Sequence, residues 1–391
     1  MLRTAFALAR LALSSALLIG VAGNVGCSTT ATTIDPMAAM PRESPGKPVL
    51  SLWWKLVIAD HSGERKPQEF ASPAVEPGVG DDVALYIGSH DGTFYSIAAN
   101  RGHISWKVPL GSISSRPVVD QGRIYVGTDD GALVCLDSLD GEEKWRYTTR
   151  GPVLESPVLV EDSVFFSNEA DQVYALEQAT GKFRWQYKGD TPEEYTLRGH
   201  AGVAVDEGLV FTGFSSGTMV ALRASTGSVA WMTSLKGDAD RFVDVDGTPV
   251  VSGDTVFITS SSGGLYAVDK ATGLVRWHLP IENAGALTVD GDRLYVVAAE
   301  QGVYAVDRAG HIIWRQGTRG GGEFAEPLVS GDYLIYSLSE DGVFVADKKT
   351  GELYQYFDPG EGVSATPTLW NDRLYFLSNG GILYSMNVRR F

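Results

Sequence analysis

Gly213-Phe-Ser-Ser-Gly217 has the G-x-S-x-G spacing of a serine nucleophile elbow, a place where covalent chemistry could sit in this chain. That elbow needs a strand running straight into a helix, so that the serine is held on a sharp turn. Here the string aligns with Thr128-Asp-Asp-Gly131 and is expected to form an ordinary hairpin turn. Cys135 falls on an alternating apolar stretch, where a thiol is shielded and inert. The histidines, His61, His90, His103, His200, His278 and His311, are scattered without the short paired spacing of a metal site. Gly320-Gly-Gly322 could cradle a phosphate only if a helix followed, and none is legible. The acidic run from Asp238 to Asp246 lacks a further carboxylate at the distance an EF-hand requires. The residues therefore predict no catalytic centre, no metal and no cofactor.

The elements that would carry any site are set by a repeat. A tryptophan follows a turn glycine by four residues in Gly102/Trp106, Gly141/Trp145, Gly181/Trp185, Gly227/Trp231, Gly273/Trp277 and Gly310/Trp314. The glycines recur at intervals of 37 to 46 residues, and Gly351 follows with Gln355 in the tryptophan slot. A period near forty, in copies rich in Val, Ile, Tyr and Phe, marks a β-propeller blade of four strands. Pro73, Pro117, Pro157, Gly202, Pro249, Ala286, Pro327 and Pro367 open eight copies, proline being tolerated where a strand begins. Turns such as Asp129-Asp-Gly131 supply the positive φ of a tight hairpin. The last copy stops without its tryptophan strand, and Leu52-Trp-Trp-Lys-Leu56 near the N-terminus supplies one, with Trp54 in the slot. The expected fold is all-β: an eight-bladed propeller sealed by its N-terminal strand, which leaves no open sheet edge at the seam. The tryptophans read as blade-to-blade packing with satisfied N–H groups, and Gln355 as a weaker contact.

Composition narrows the partners. The chain has 391 residues and a formal charge of −16, which argues against nucleic acid or an anionic lipid surface as a ligand. Arg3 and Arg10 precede an apolar stretch over residues 11–22, too short for a confident membrane span. Val25-Gly26-Cys27-Ser28 follows and resembles a bacterial lipoprotein signal, which implies cleavage before Cys27, a lipid on Cys27 and an outer-membrane destination. The plain alternative is an ordinary secretory signal cut nearby. The expected division is a signal peptide over 1–26, a flexible tether over 27–48, rich in Thr, Ala, Pro and Ser, and the propeller over 49–391.

The connections between copies are unequal. Most run 9 to 13 residues from the tryptophan slot to the next opening position, but Trp185 to Gly202 takes 17, Trp231 to Pro249 takes 18 and Trp54 to Pro73 takes 19. All such connections leave a propeller on one face, so the two successive long ones must be neighbours there, and long loops on a rigid scaffold are where binding concentrates. The first carries Tyr195, Leu197 and Arg198, of types that serve interface hot spots or their apolar surrounds. The second carries Asp244 and Asp246, which could pair with a partner's basic groups or hold Arg198. The bland alternative is solvated loop carboxylates making local turn bonds.

With the lipoprotein-like start, the sealed tryptophan repeats, Leu197-Arg198-Gly199 and Asp240-Arg-Phe-Val-Asp-Val-Asp246, the chain resembles the BamB family of outer-membrane propeller lipoproteins. The resemblance implies a lipid-anchored, non-catalytic scaffold on the periplasmic face of the outer membrane. Its partners would be the POTRA repeats of BamA and other subunits of the barrel-assembly complex, with unfolded barrel proteins as a further class. It places the BamA contact at Leu197, Arg198, Asp244 and Asp246, with Tyr195 beside them. Two rivals share the repeat: a periplasmic ligand-binding propeller, and a quinoprotein dehydrogenase, whose adjacent cysteine pair is not found here.

Overall fold

A computed structural model describes residues 32–33, 48–61, 64–78, 83–190, 201–236, 244–317 and 322–390. Eight antiparallel sheets follow one another along the chain, each built in the order inner strand, two central strands, outer strand. Blade two shows the plan: Val118–Asp120, Arg123–Gly127, Ala132–Asp137 and Glu143–Thr148. The inner strand begins directly after the opening proline in six blades. In blade six it starts earlier, at Ala284, and is bulged before Leu287, so Ala286 lies within the strand rather than ahead of it. Thr32–Thr33, within the stretch expected to be a tether, runs parallel to the outer strand Ile312–Gln316.

The glycine–tryptophan spacing has a mechanical cause. Every outer strand carries a register shift at the tryptophan slot, where the indole lies opposite a small residue such as Ala175 or Ser96. A bulge of this kind re-aims a side chain, and here the indole reaches the next blade. A Cβ added to Gly102 would sit 2.6 Å from the Trp54 ring, and one on Gly227 would sit 2.6 Å from that of Trp185. Both glycines have positive φ, so the turn and the close approach each exclude a larger residue. The Trp54 N–H donates to Ala99 O at 2.8 Å and that of Trp185 to Ala224 O at 2.8 Å, both in the neighbouring blade. Within its own blade each indole meets an aromatic from the second strand, as in Trp185 with Phe165 and Trp54 with Tyr375, at centroid distances near 6 Å. The pattern therefore records an interface between successive copies rather than a feature of any one copy.

Trp185 and Trp53 offer a direct comparison. Trp185 is 7% exposed, whereas Trp53, outside the repeat, is 52% exposed beneath the Arg373 guanidinium. Trp185→Ala should cost roughly 3–5 kcal/mol through the cavity and the orphaned carbonyl, and Trp53→Ala less than about 1 kcal/mol. Chemical denaturation of the two variants checks this, and equal losses would contradict the packing assignment.

The ring closes as the sequence predicts. Leu50–Val57 pairs with Ile382–Val388 from Leu50↔Val388 to Val57↔Ile382, completing the eighth sheet. Gln355 departs from the expectation of a weaker contact. Where the neighbouring blade would present a glycine turn, blade eight has the break between chain ends, and no turn exists to receive an indole. Gln355 instead bonds both backbone groups of Leu50: the Leu50 N–H donates to Oε1 at 2.6 Å and Nε2 donates to Leu50 O at 3.1 Å. It is buried. The substitution fits the seam. Polar clamps join other blades, with Lys270 Nζ 2.6 Å from Asp206 and Lys348 Nζ 2.6 Å from Asp290.

Candidate functional site

The blades converge on an axial cavity of two confluent lobes, about 440 and 500 Å³. Its wall follows a simple rule: the residue before an opening proline lines the axis, as do Ser72, Arg116, Ser156, Thr248, Glu326 and Thr366. Sequence reasoning missed this ring, although the repeat marked every position in it. Arg116 and Glu326 are its charged members, joined by Glu155 one residue further back. Burial pushes the Glu155 carboxyl up to about 7, helped by the charges of Glu326 and Glu169 and opposed by Thr248 and Arg116. Desolvation within the cavity also raises Glu326, although the residue reaches solvent, against the pull of Arg116. The cavity is polar and of mixed charge, and the described residues of its wall include no imidazole or thiol. Among the described residues no group of His, Cys, Asp and Glu is arranged to hold a metal ion.

The candidate nucleophiles are accounted for. Ser215 lies between the strands Leu209–Phe214 and Thr218–Arg223, in a hairpin with no helix following. It is 4% exposed, its hydroxyl donates to Asp171 Oδ2 and its N–H to Asp171 Oδ1 at 3.0 Å. Gly213 is small because Val245 packs on it: an added Cβ would sit 2.4 Å from a Val245 methyl. The G-x-S-x-G string is thus a turn seated under the second long connection. Cys135 is fully buried, and burial raises its thiol to about 11, so almost no thiolate is present near neutral pH.

The two long connections meet at their bases. The N–H of Gly202, which ends the first, donates to Oγ1 of Thr248, which ends the second, at 3.0 Å. The second is tied inward by Val245, 1% exposed, whose N–H donates to Phe214 O at 3.2 Å, and by the Ser260 hydroxyl, which donates to Asp244 O at 3.0 Å. Asp244 is only 4% exposed, so the alternative of a solvated loop carboxylate does not hold for it. The cause is local: Val245 anchors the chain in the core between blades four and five and draws Asp244 down with it. Asp246 lines the mouth of the axial cavity beside Gly202 and Thr248. Neither carboxylate is free. Tyr195, Leu197, Arg198 and Cys27 lie outside the described residues.

With this geometry in hand, comparison with known proteins is decisive. The family described as outer membrane protein assembly factor BamB matches residues 90–316 and 299–390, most of the propeller. The chain belongs to the BamB family. A BamB of Nitrosomonas eutropha is 29% identical over 182 residues, covering 45% of this chain and 44% of the relative. One of Burkholderia pseudomallei is 31% identical over 182 residues, covering 45% and 47%. These matches span about half the length of the relatives. The crystal structure of BamB from Moraxella catarrhalis superposes with a TM-score of 0.74 at 21% identity, covering 87% of this chain and 100% of that one. A quinohemoprotein alcohol dehydrogenase from Comamonas testosteroni also superposes, with a TM-score of 0.68 at 14% identity over 87% of this chain and 76% of its own. At such identities the superpositions speak for the fold alone. Membership in the BamB family rests on the sequence match and separates the chain from the dehydrogenases that share its architecture.

Proposed function

We propose that this protein is a non-catalytic scaffold of the outer-membrane β-barrel assembly machinery, anchored by a lipid on Cys27 at the periplasmic face. In this reading the propeller grips the periplasmic POTRA repeats of BamA through its two long neighbouring connections. Leu197 and Arg198 supply the apolar and cationic contacts, with Tyr195 beside them. The single observation that carries the reading is the Gly202–Thr248 hydrogen bond, which ties the bases of the two connections together at one edge of the axial cavity. Asp246 stands at that edge and serves the contact, while the buried Asp244 holds the second connection in shape. The division of labour is physical: eight interlocked blades make a rigid platform, and the unequal connections on it are free to specify a partner. Unfolded barrel proteins are a further class of client in this reading.

The test is purification from gently solubilised membranes. The wild-type chain is expected in the outer-membrane fraction with BamA in comparable amount, and Cys27→Ala is expected to leave that fraction. Recovery of the chain without BamA, or of an unlipidated wild-type protein, would contradict the reading.

A further inference from the structure

The third long connection, described over residues 58–61 and 64–72, has no role in the docking proposal, yet it holds a densely bonded cluster in which His61 and Glu69 are buried and Glu64 is exposed. It leaves the closing strand Leu50–Val57 and ends at the inner strand Ala74–Glu76, so it straps the seam of the ring. Its far end forms part of the axial cavity through Gln68, Phe70 and Ser72. At its centre His61 bridges two carboxylates, with Nδ1 2.9 Å from Glu64 Oε1 and Nε2 2.8 Å from Glu69 Oε1. The His61 side chain is 5% exposed and that of Glu69 is 0% exposed. Glu69 also accepts the Ser89 hydroxyl at 2.7 Å and the His90 N–H at 3.0 Å, both from the turn between the two central strands of blade one. Two fixed donors thus hold its two oxygens, and His61 is a third wherever Nε2 carries a proton.

A neutral imidazole has one N–H and one lone pair, so it can donate to only one of these two carboxylates. Two carboxylate partners call for the imidazolium. We propose that His61 is the proton-dependent clasp of the strap: charged, it locks residues 64–72 onto blade one, and on losing its proton it releases the wall of the axial cavity formed by Gln68 and Phe70. Burial disfavours the charge on His61, but the hydrogen bonds and charges of Glu64 and Glu69 outweigh it and hold the ring above its ordinary range. The direction follows. A raised folded value means that the stabilisation is complete below about pH 6.5, the free value, and is lost as pH climbs through the folded one. Other groups around the clasp are already engaged. His90 bonds Ser112, Asp91 accepts the Thr93 N–H, Tyr95 donates to Ile58 O, and Lys66 pairs with Glu340 of blade seven. Asp60 also has a partner, and Arg65 carries a further charge on the strap. Asn379 of blade eight, which accepts the Glu69 N–H at 3.1 Å, is uncharged.

The test is amide hydrogen exchange on the whole chain at about pH 6 and about pH 9, corrected for intrinsic rates. Protection of Glu69 and His90 relative to the blade strands is expected to fall by roughly tenfold or more at the higher pH, the worth of one hydrogen bond to a charged group. In His61→Gln, which has no proton to lose, that fall should vanish and protection should be low at both values. Equal wild-type protection at the two values, or a fall that persists in His61→Gln, overturns the clasp. Should the variant not fold, a ring-carbon NMR titration of wild-type His61 decides: a midpoint above the free value supports the proposal, and one at or below it refutes it.

Discussion

Deleting residues 49–57 is expected to abolish cooperative melting and leave an aggregating chain. The deleted segment buries Val49 and Leu50 almost completely and places Trp54 and Leu56 against the first core cluster. A fully buried apolar side chain contributes about 1.5–3 kcal/mol, so Val49 and Leu50, with the partly buried Trp54 and Leu56, supply an appreciable share of the ~5–15 kcal/mol that holds a whole domain folded. The deletion also bares Ile382–Val388, a seven-residue strand whose Leu383, Tyr384 and Met386 are buried in the intact ring, as an unpaired edge. Static light scattering during a thermal ramp reads both consequences. An unchanged melting curve without scattering would refute closure by the N-terminal strand. A point substitution isolates the seam: Gln355→Ala leaves the N–H and C=O of Leu50 short of a partner and should cost about 1–3 kcal/mol. Gln355→Trp, which restores the residue of the other seven slots, should destabilise as well, because no glycine turn faces it.

That contrast shows what was legible before the structure. Eight copies, their four strands and the closing segment could be read directly, because an interface repeated seven times leaves the same Gly and Trp in the chain each time. Gln355 was legible only as an exception. Its meaning depends on what stands opposite in the next blade, and the break between chain ends is invisible in a local window. The ring of residues ahead of the prolines was marked by the repeat but went unread, since periodicity reports a position and not the direction it faces. The burial of Asp244 was not legible for a related reason: a carboxylate in a long connection reads as solvated unless the anchoring of Val245 in the core is known. His61 and Glu69 lie in a stretch with no period, so nothing in their spacing pairs them. The loop motif at Leu197 and Arg198 was read from residue type and family resemblance, and its partner contact stands as a proposal.

The burial of Asp244 changes how that proposal is tested. Asp244→Ala removes a buried, engaged carboxylate, so loss of binding in that variant would be confounded with loss of structure, at a cost of about 1–3 kcal/mol. Leu197→Ala with Arg198→Ala is the cleaner pair, with Asp246→Ala as a second arm at the cavity mouth.

The most direct measurement is the equilibrium affinity of the soluble propeller for the isolated periplasmic domain of BamA, wild type against Leu197→Ala/Arg198→Ala. Truncating a leucine or an arginine at the centre of an interface commonly costs ~2 kcal/mol or more, about thirtyfold in Kd. The double variant is expected to lose at least that much while its circular dichroism and melting temperature match the wild type. Full affinity in a well-folded double variant would contradict the account, because the paired long connections would then not be what grips BamA.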